Sequence, residues 1–170
     1  ALAANLATTI TDLVAASQSG QTVREPKVDL VLNCTYDRAA DQLKIGRAAL
    51  ASQALGCDMS GNLSKATTDR NLDLKGKLNY DFAQLRPMLE PYLGAQVQIA
   101  GRETRDISLQ WAMNPPAAPT PNGQPGKSSL EQLRLDTAMG WTSLNAYGFN
   151  GGASQATIHI DNGMLETNWI

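Results

Sequence analysis

At 170 residues the chain can bury a sizeable core, and one domain is the default expectation for this length. Its formal net charge of −2, from 14 basic and 16 acidic residues, gives no electrostatic reason to expect a nucleic-acid partner. No apolar run reaches the roughly 18 residues of a membrane-spanning helix. The chain lacks an initial Met and stops within an apparent strand, so we expect it to be a piece of a longer protein.

The N-terminal stretch, 1–20, is predicted to form a helical segment. Its apolar residues recur at spacings of three and four, which is typical of a helix with one apolar face: Leu2, Leu6, Ile10, Leu13 and Val14. A polar stretch, Ser19-Gly20-Gln21, then ends the pattern.

Alternation of apolar and polar residues follows, which is the pattern of strands with one solvated face. Three such segments, 28–36, 43–51 and 55–63, are joined by short polar connections, and Gly46 marks a candidate bulge in the second. Consecutive strands with short connections favour an antiparallel meander.

The central region is predicted to be strand, short helix, strand, turn and strand. Alternation over 72–80 gives way after Asp81 to apolar residues at helical spacing, and Gly94 supplies a helix stop. Two prolines inside this segment predict a short or kinked helix. We expect the helix to pack on the apolar face of its flanking strands, within a β-helix-β core over 28–113.

The C-terminal third begins with a proline-rich stretch, 114–129, which we predict to be a flexible loop, with a proline-rich recognition peptide as the alternative. Antiparallel strands are expected over 130–170, with a hairpin turn at Asn162-Gly163. The single domain 1–170 is therefore predicted to be α+β: a mostly antiparallel, curled β-sheet with an N-terminal helix and one short helix packed on its apolar face.

No catalytic constellation stands out, so we expect a protein that is not an enzyme and needs no cofactor or metal. His159, the one histidine, lies between two isoleucines and is predicted to point to the polar face of its strand. Cys34 and Cys57 are expected to be small buried hydrophobes, or a disulfide if their strands are neighbours. Two cysteines and one histidine do not make a typical zinc site.

The predicted sheet is longer than the helices available to cover it. The central helix spans about 13 Å, whereas a nine-residue strand extends about 30 Å. Apolar sheet surface is then left open as a groove for acyl chains or a partner segment, unless the N-terminal helix closes it into an ordinary core. The candidate lipid-binding positions on this face are Leu72, Leu74, Leu78, Val97, Ile99, Ile107, Leu109 and Trp111.

Two other functions fit the same pattern. One is a protein–protein scaffold that pairs through exposed strand edges. The other is a carbohydrate-binding or hydrolase module that uses Trp111, Trp141 and Trp169. An exposed row of coplanar tryptophans would favour carbohydrate binding.

Several segments resemble the AsmA/TamB-like proteins of the bacterial cell envelope, over roughly 28–111 and more loosely over 130–170. The strands, turns and glycines that carry the resemblance are LGCDMSGNL at 55–63, LDLKGKLNYD at 72–81, the leucine-rich helix ending in LEPYLG at 94, and VQIAG at 97–101. The C-terminal part resembles the same pattern more loosely, with a further strand that starts after the Asn-Gly turn: Trp141, Gly148-Phe149 and Gly163-Met164-Leu165.

The resemblance implies a periplasmic part of a large protein that is anchored in the inner membrane by a helix outside this chain. It implies a hydrophobic trough that carries phospholipid acyl chains in lipid transport or outer-membrane biogenesis. The implied partners are these lipids, other segments of the parent chain and envelope proteins. The family's pattern carries no catalytic residues over to this sequence.

Overall fold

The computed structural model describes residues 1–16, 22–114 and 130–169. These residues form mainly antiparallel β-sheet with one α-helix, which confirms the predicted fold class in outline. In chain order the elements are β1 (Leu2–Ala16), β2 (Thr22–Asp37), β3 (Gln42–Ala51), β4 (Leu55–Ser64), β5 (Asn71–Asp81), α1 (Phe82–Leu93), β6 (Val97–Ala100), β7 (Arg102–Ala112), a 3-10 turn (Leu130–Gln132), β8 (Leu133–Trp141), β9 (Ser143–Ala146), β10 (Phe149–Gly151), β11 (Ser154–Asp161) and β12 (Met164–Trp169).

Nine of these strands form one open sheet in the order β1-β2-β3-β4-β5-β7-β8-β11-β12, and every neighbouring pair is antiparallel. Sequence order and sheet order agree except where α1 with β6, and β9 with β10, leave the sheet. Those short strands build a second sheet in the order β10-β9-β6. The meander predicted from the short connections is therefore present, and β1 and β12 are the edges of the large sheet.

The predicted N-terminal helix is wrong over the described residues, because 2–16 form the strand β1. This strand pairs with β2 from Leu2 opposite Tyr36 to Ala16 opposite Thr22. A spacing of four residues fits a strand as well as a helix, since it is twice the strand period. Asp12 takes a left-handed φ of 53°, and this local distortion accounts for the apparent helical spacing beyond it. Residues 17–20 of the predicted helix, like most of the predicted loop 114–129, lie outside the described residues.

The predicted central helix is confirmed as α1. The Asp81 carboxylate accepts a hydrogen bond from the Ala83 N–H at 2.9 Å, and Gly94 follows the helix with a positive φ of 85°. The helix packs against β6 and the end of β5. It therefore lies at one end of the large sheet, and within residues 1–16, 22–114 and 130–169 no other α-helix lies over that sheet.

Local turn signals also hold. Asn162 and Gly163 both have left-handed φ angles, 52° and 73°, as the type I′ hairpin between β11 and β12 requires. The register between β3 and β4 shifts between Ile45 and Ala48, which confirms a bulge at Gly46.

Two features fix the middle of the large sheet. Gly76 on β5 approaches β4 so closely that an added Cβ would lie 2.0 Å from the Asp58 carbonyl oxygen. Tyr80, 2% exposed, reaches from β5 to β8: its hydroxyl accepts a hydrogen bond from the Gly140 N–H at 2.6 Å and donates one to the Gly140 carbonyl at 3.0 Å. The ladder between β7 and β8 ends at the pair Ile107–Thr137. Beyond that end, the Tyr80 hydroxyl is the hydrogen-bond partner of the Gly140 N–H and carbonyl.

Candidate functional site

The strand register sorts the side chains of the large sheet onto two faces, because directly opposed residues on neighbouring strands point to the same side. One cross-strand row runs through all nine strands: Ala4, Cys34, Ile45, Gly61, Leu74, Leu109, Leu135, Ile160 and Leu165. The next row is also mostly apolar: Leu6, Leu32, Ala48, Met59, Gly76, Ile107, Thr137, Ile158 and Thr167. We call the side that carries these two rows the apolar face.

The apolar face holds the hydrophobic core of the large sheet. Ile45, Met59 and Leu74 are its most buried members, each 8% exposed. The partly buried residues packed around them are Cys34, Leu43, Ala48, Cys57, Leu72, Ile107 and Leu109. Since all of these side chains come from one face of one sheet, they are buried by lateral contact with each other.

Exposure on this face rises from the centre to the borders. On β1, Leu6 is 56% exposed, and on β12, Leu165 is 65% exposed, although both continue the rows of the buried centre. Nine strands spaced about 4.8 Å apart make the face roughly 38 Å wide. The acyl chains of one lipid leaflet extend about 15 Å, half the hydrocarbon thickness of a bilayer, so the face is wide enough to hold them.

Six of the eight positions predicted from the sequence share this face. Leu72 pairs with Trp111 and Leu74 with Leu109, while Ile107 lies opposite Gly76. On β7, the apolar rows end next to Leu78, whose partner there is Arg105. The Arg105 guanidinium bonds the Glu103 carboxylate at 2.5 Å, so an ion pair closes this end of the apolar rows on β7.

Val97 and Ile99 lie elsewhere, on β6 of the small sheet. Ile99 pairs with Leu144 of β9, and both predicted residues border a narrow space below α1 together with Phe82 and Leu89. Gly101, with φ of 146°, follows β6 directly and precedes β7. A chain reversal of this kind separates β6 from the large sheet, so these two side chains belong to the contact between α1 and the small sheet.

Sequence reasoning missed most of the width of the apolar face. The pattern of β1 predicts a helix, and the patterns of the outer strands predict strands without indicating that they share a face with the candidate site: β2, β3, β4, β8, β11 and β12. Their alternation was visible in the sequence. Which of them share a face with Leu74 depends on the register and on the bulge at Gly46.

The opposite face of the large sheet is polar and carries ion pairs between neighbouring strands. Arg47 bonds Asp58 at 2.7 Å and Lys77 bonds Asp106 at 2.5 Å. His159 lies on this face as predicted, bonded to Asp136. The sheet is therefore amphipathic.

The carboxylates and thiols that are close in sequence or in the core do not combine into a catalytic group. Glu103 and Asp106 project from opposite faces of β7, since they are an odd number of residues apart. Cys34 and Cys57 are both unpaired and pack in the core, with burial raising the pKa of the Cys57 thiol. Within the described ranges, no three His, Cys, Asp or Glu side chains converge as metal ligands.

Trp141 and Trp169 contact each other edge to face, with ring centroids 5.4 Å apart and planes at 74°. These two rings therefore do not form the coplanar platform that carbohydrate binding would use. In the part of the chain that the structure covers, no helix has the length and apolar character needed to cross a membrane.

No protein-family model, no curated protein and no solved structure matches the chain.

Proposed function

We propose that the apolar face binds lipid acyl chains and that the chain is a lipid-binding or lipid-guiding module of an AsmA/TamB-like protein of the bacterial envelope. The observation that carries the proposal is the pair of apolar rows across all nine strands. In this proposal the module lies in the periplasm, and a helix outside this chain anchors the parent protein in the inner membrane.

The physical support for this proposal is that the apolar face is larger than the part of it that other described elements cover. Soluble monomers rarely leave large contiguous apolar surfaces open unless something binds there. Here α1 packs at one end of the sheet, and the borders at Leu6 and Leu165 remain exposed. A face of this kind suits long apolar ligands that differ in their exact structure. Dispersion and desolvation stabilise such ligands without hydrogen bonds of fixed direction. The proposed role needs no catalytic residue.

The resemblance to AsmA/TamB-like sequences supports the same role independently of the exposed surface. Its strand and glycine pattern over 55–101 spans β4, β5, α1 and β6, and two of the three most buried core residues, Met59 and Leu74, lie on β4 and β5. The lipid class that this resemblance implies is phospholipid, bound through its acyl chains.

A second candidate function is pairing with another protein strand at an edge of the sheet. The observation that favours it is β1, which runs for 15 residues and pairs with β2 on one side; among the described strands none pairs with its other side. Exposed strand edges are natural sites for the addition of a partner strand. A partner of this type would extend the apolar face and is compatible with lipid binding.

The test is lipid extraction and native mass spectrometry of the purified protein, before and after incubation with phospholipid vesicles. Leu6→Asp with Leu165→Asp places two charges on the apolar face at positions that are already largely exposed, so the fold should persist. Asn5→Asp with Asn168→Asp is the matched control, because it adds the same charges to the same strands on the polar face.

We expect the wild-type protein and the control to carry phospholipid, and the Leu6→Asp, Leu165→Asp variant to lose most of it while keeping the circular dichroism spectrum of a β-sheet. Lipid-free wild-type protein that forms dimers would favour strand-edge pairing instead. Equal lipid retention by both double variants would contradict the assignment to the apolar face.

A further inference from the structure

At the beginning of β2, a glutamate is buried with one carboxylate oxygen lacking a hydrogen-bond partner. Glu25 is 8% exposed, and its Oε2 atom has no hydrogen-bond partner among the described residues. Its backbone is held in the ladder between β1 and β2, opposite Leu13. This pairing fixes the backbone of Glu25 near the start of β2, away from the buried centre of the apolar face.

Such an atom requires an explanation, because a buried polar group without a partner costs free energy and a carboxylate costs more than a neutral group. Buried oxygens of this kind in native proteins are normally paired with the chain, with water or with a ligand. In the described part of the chain, Glu25 forms no ion pair, not even with its neighbour in sequence, Arg24.

The Glu25 side chain borders a cavity of about 330 Å³ where β2, the turn between β3 and β4, and α1 meet. This volume is at the small end of the range for ligand cavities, roughly 300–1,000 Å³. The wall is mixed: the amides of Gln53 and Gln84 are polar, while Pro87 and Met88 are apolar. A small ligand with one polar end suits these walls better than a fully apolar one.

The chemistry of the wall selects a hydrogen-bond donor with a positive charge. The carboxylate and the two amide oxygens are acceptors, and an ammonium group with three N–H donors can satisfy all of them. A quaternary ammonium has no N–H and is normally held by aromatic rings, which are missing from the described lining. A divalent cation such as Ca²⁺ takes six to eight oxygen ligands, and the residues described around this cavity include one carboxylate.

Arg24 also borders the cavity, so its lining carries one positive and one negative side chain. A simple amine would meet the guanidinium as well as the carboxylate. A zwitterion that carries an anionic group next to its ammonium can place the anion toward Arg24 and the ammonium toward Glu25.

We propose that the Glu25 cavity binds a small zwitterion through its primary ammonium group, with Glu25 as the acceptor and Arg24 near the anionic part. An ethanolamine phospholipid headgroup and a free phosphoethanolamine-like molecule share this chemistry. The assignment goes beyond acyl-chain binding and does not depend on it.

The experiment is calorimetric titration of the whole chain with three probes: phosphoethanolamine, dihexanoyl phosphatidylethanolamine, and the choline counterpart of that short-chain lipid. Glu25→Gln keeps the shape of the side chain and removes its charge. Glu166→Gln removes the same charge from exposed β12 and is the matched control. Thermal unfolding of each ligand-free variant is measured alongside.

We expect the ethanolamine probes to bind, the choline probe to bind at least about tenfold more weakly, and Glu25→Gln alone to lose at least about tenfold in affinity for the ethanolamine probes. If phosphoethanolamine and the short-chain ethanolamine lipid bind with equal affinity, the natural ligand is a free zwitterion. If the lipid binds more tightly, the natural ligand is a lipid headgroup. The unfolding temperature of ligand-free Glu25→Gln should equal or exceed that of wild type, because the variant removes a buried charge that has an unpartnered oxygen.

Three results would overturn the assignment. One is ethanolamine-probe binding that Glu25→Gln leaves unchanged, and another is equal binding of the choline probe. The third is a drop of several degrees in the unfolding temperature of ligand-free Glu25→Gln, since that would mean the carboxylate has a structural partner. Lipid binding that persists without Glu25 would leave the proposed acyl-chain function intact while refuting this site.

Discussion

The contact between Tyr80 and Gly140 gives the sharpest test of how the large sheet is held together. Tyr80→Phe removes only the hydroxyl, and the ring keeps its edge-to-face contact with Phe82, whose centroid lies 5.1 Å away. The variant leaves the Gly140 N–H and carbonyl without the partner that both now share. Gly140 is itself buried, so water cannot readily replace that hydroxyl.

The expected cost follows from these two bonds. A net hydrogen bond contributes about 1 kcal/mol, and leaving a buried group without a partner costs about 1–3 kcal/mol, so we expect a loss of about 2–4 kcal/mol in the free energy of unfolding. For a chain of this size that lowers the unfolding temperature by about 5–15 °C. Urea denaturation followed by circular dichroism measures the loss as a shift in midpoint.

Tyr147→Phe is the matched control. Its hydroxyl donates to the Leu93 carbonyl at 3.2 Å, but the residue is 73% exposed, so water can replace the bond and the change should stay within about 0.5 kcal/mol. If Tyr80→Phe were as stable as this control, the hydroxyl would not be joining β5 to β8.

Two further predictions concern the same region of the sheet. Gly76→Ala should destabilise the protein by about 3 kcal/mol in urea denaturation, because its Cβ would collide with the backbone of β4. The control Gly152→Ala, which has open space around it, should be nearly neutral in the same assay. Equal effects of the two substitutions would contradict the close approach of β4 and β5. Burial raises the pKa of Tyr80, so above pH 10 the unfolded chain releases this proton before the folded chain does, and stability falls as the pH rises. The wild-type protein should therefore lose stability more steeply than Tyr80→Phe as the pH rises above 10, and parallel curves would refute the assignment of that loss to Tyr80.

Local sequence patterns were enough to predict the meander. The bulge at Gly46, the cap at Asp81 and the turn at Asn162-Gly163 are all encoded by short-range chemistry, and the structure places each where the pattern does. These signals depend on backbone conformation alone. They are therefore predictable without knowledge of the long-range strand pairing.

The N-terminal strand shows where the same patterns fail. Leucines and isoleucine at 2, 6 and 10 fit two periods at once, and only pairing with β2 decides between them. The threonines at 8, 9 and 11 are β-branched and favour a strand, so a signal was available. Tertiary pairing outweighs helical spacing in this segment.

The candidate sites depend on long-range register. Leu109 shares a face with Leu74 because β5 and β7 become neighbours once α1 and β6 leave the sheet, which also removes Ile99 from that face. Nothing in the sequence around Glu25 distinguishes it from an ordinary solvated charge between Arg24 and Pro26. Its burial arises from the approach of α1 and of the turn between β3 and β4, which no local pattern encodes.

The most direct test of the account asks which face of the sheet lipid touches. Val31 and Leu32 are adjacent apolar residues on β2, and the register places Leu32 on the apolar face and Val31 on the polar one. A photoreactive phenylalanine analogue at either position, irradiated with phospholipid vesicles, can be read by mass spectrometry of the protein. We predict lipid adducts from position 32 and few or none from position 31; equal labelling of both positions, or no labelling at 32, would contradict acyl-chain binding by the apolar face.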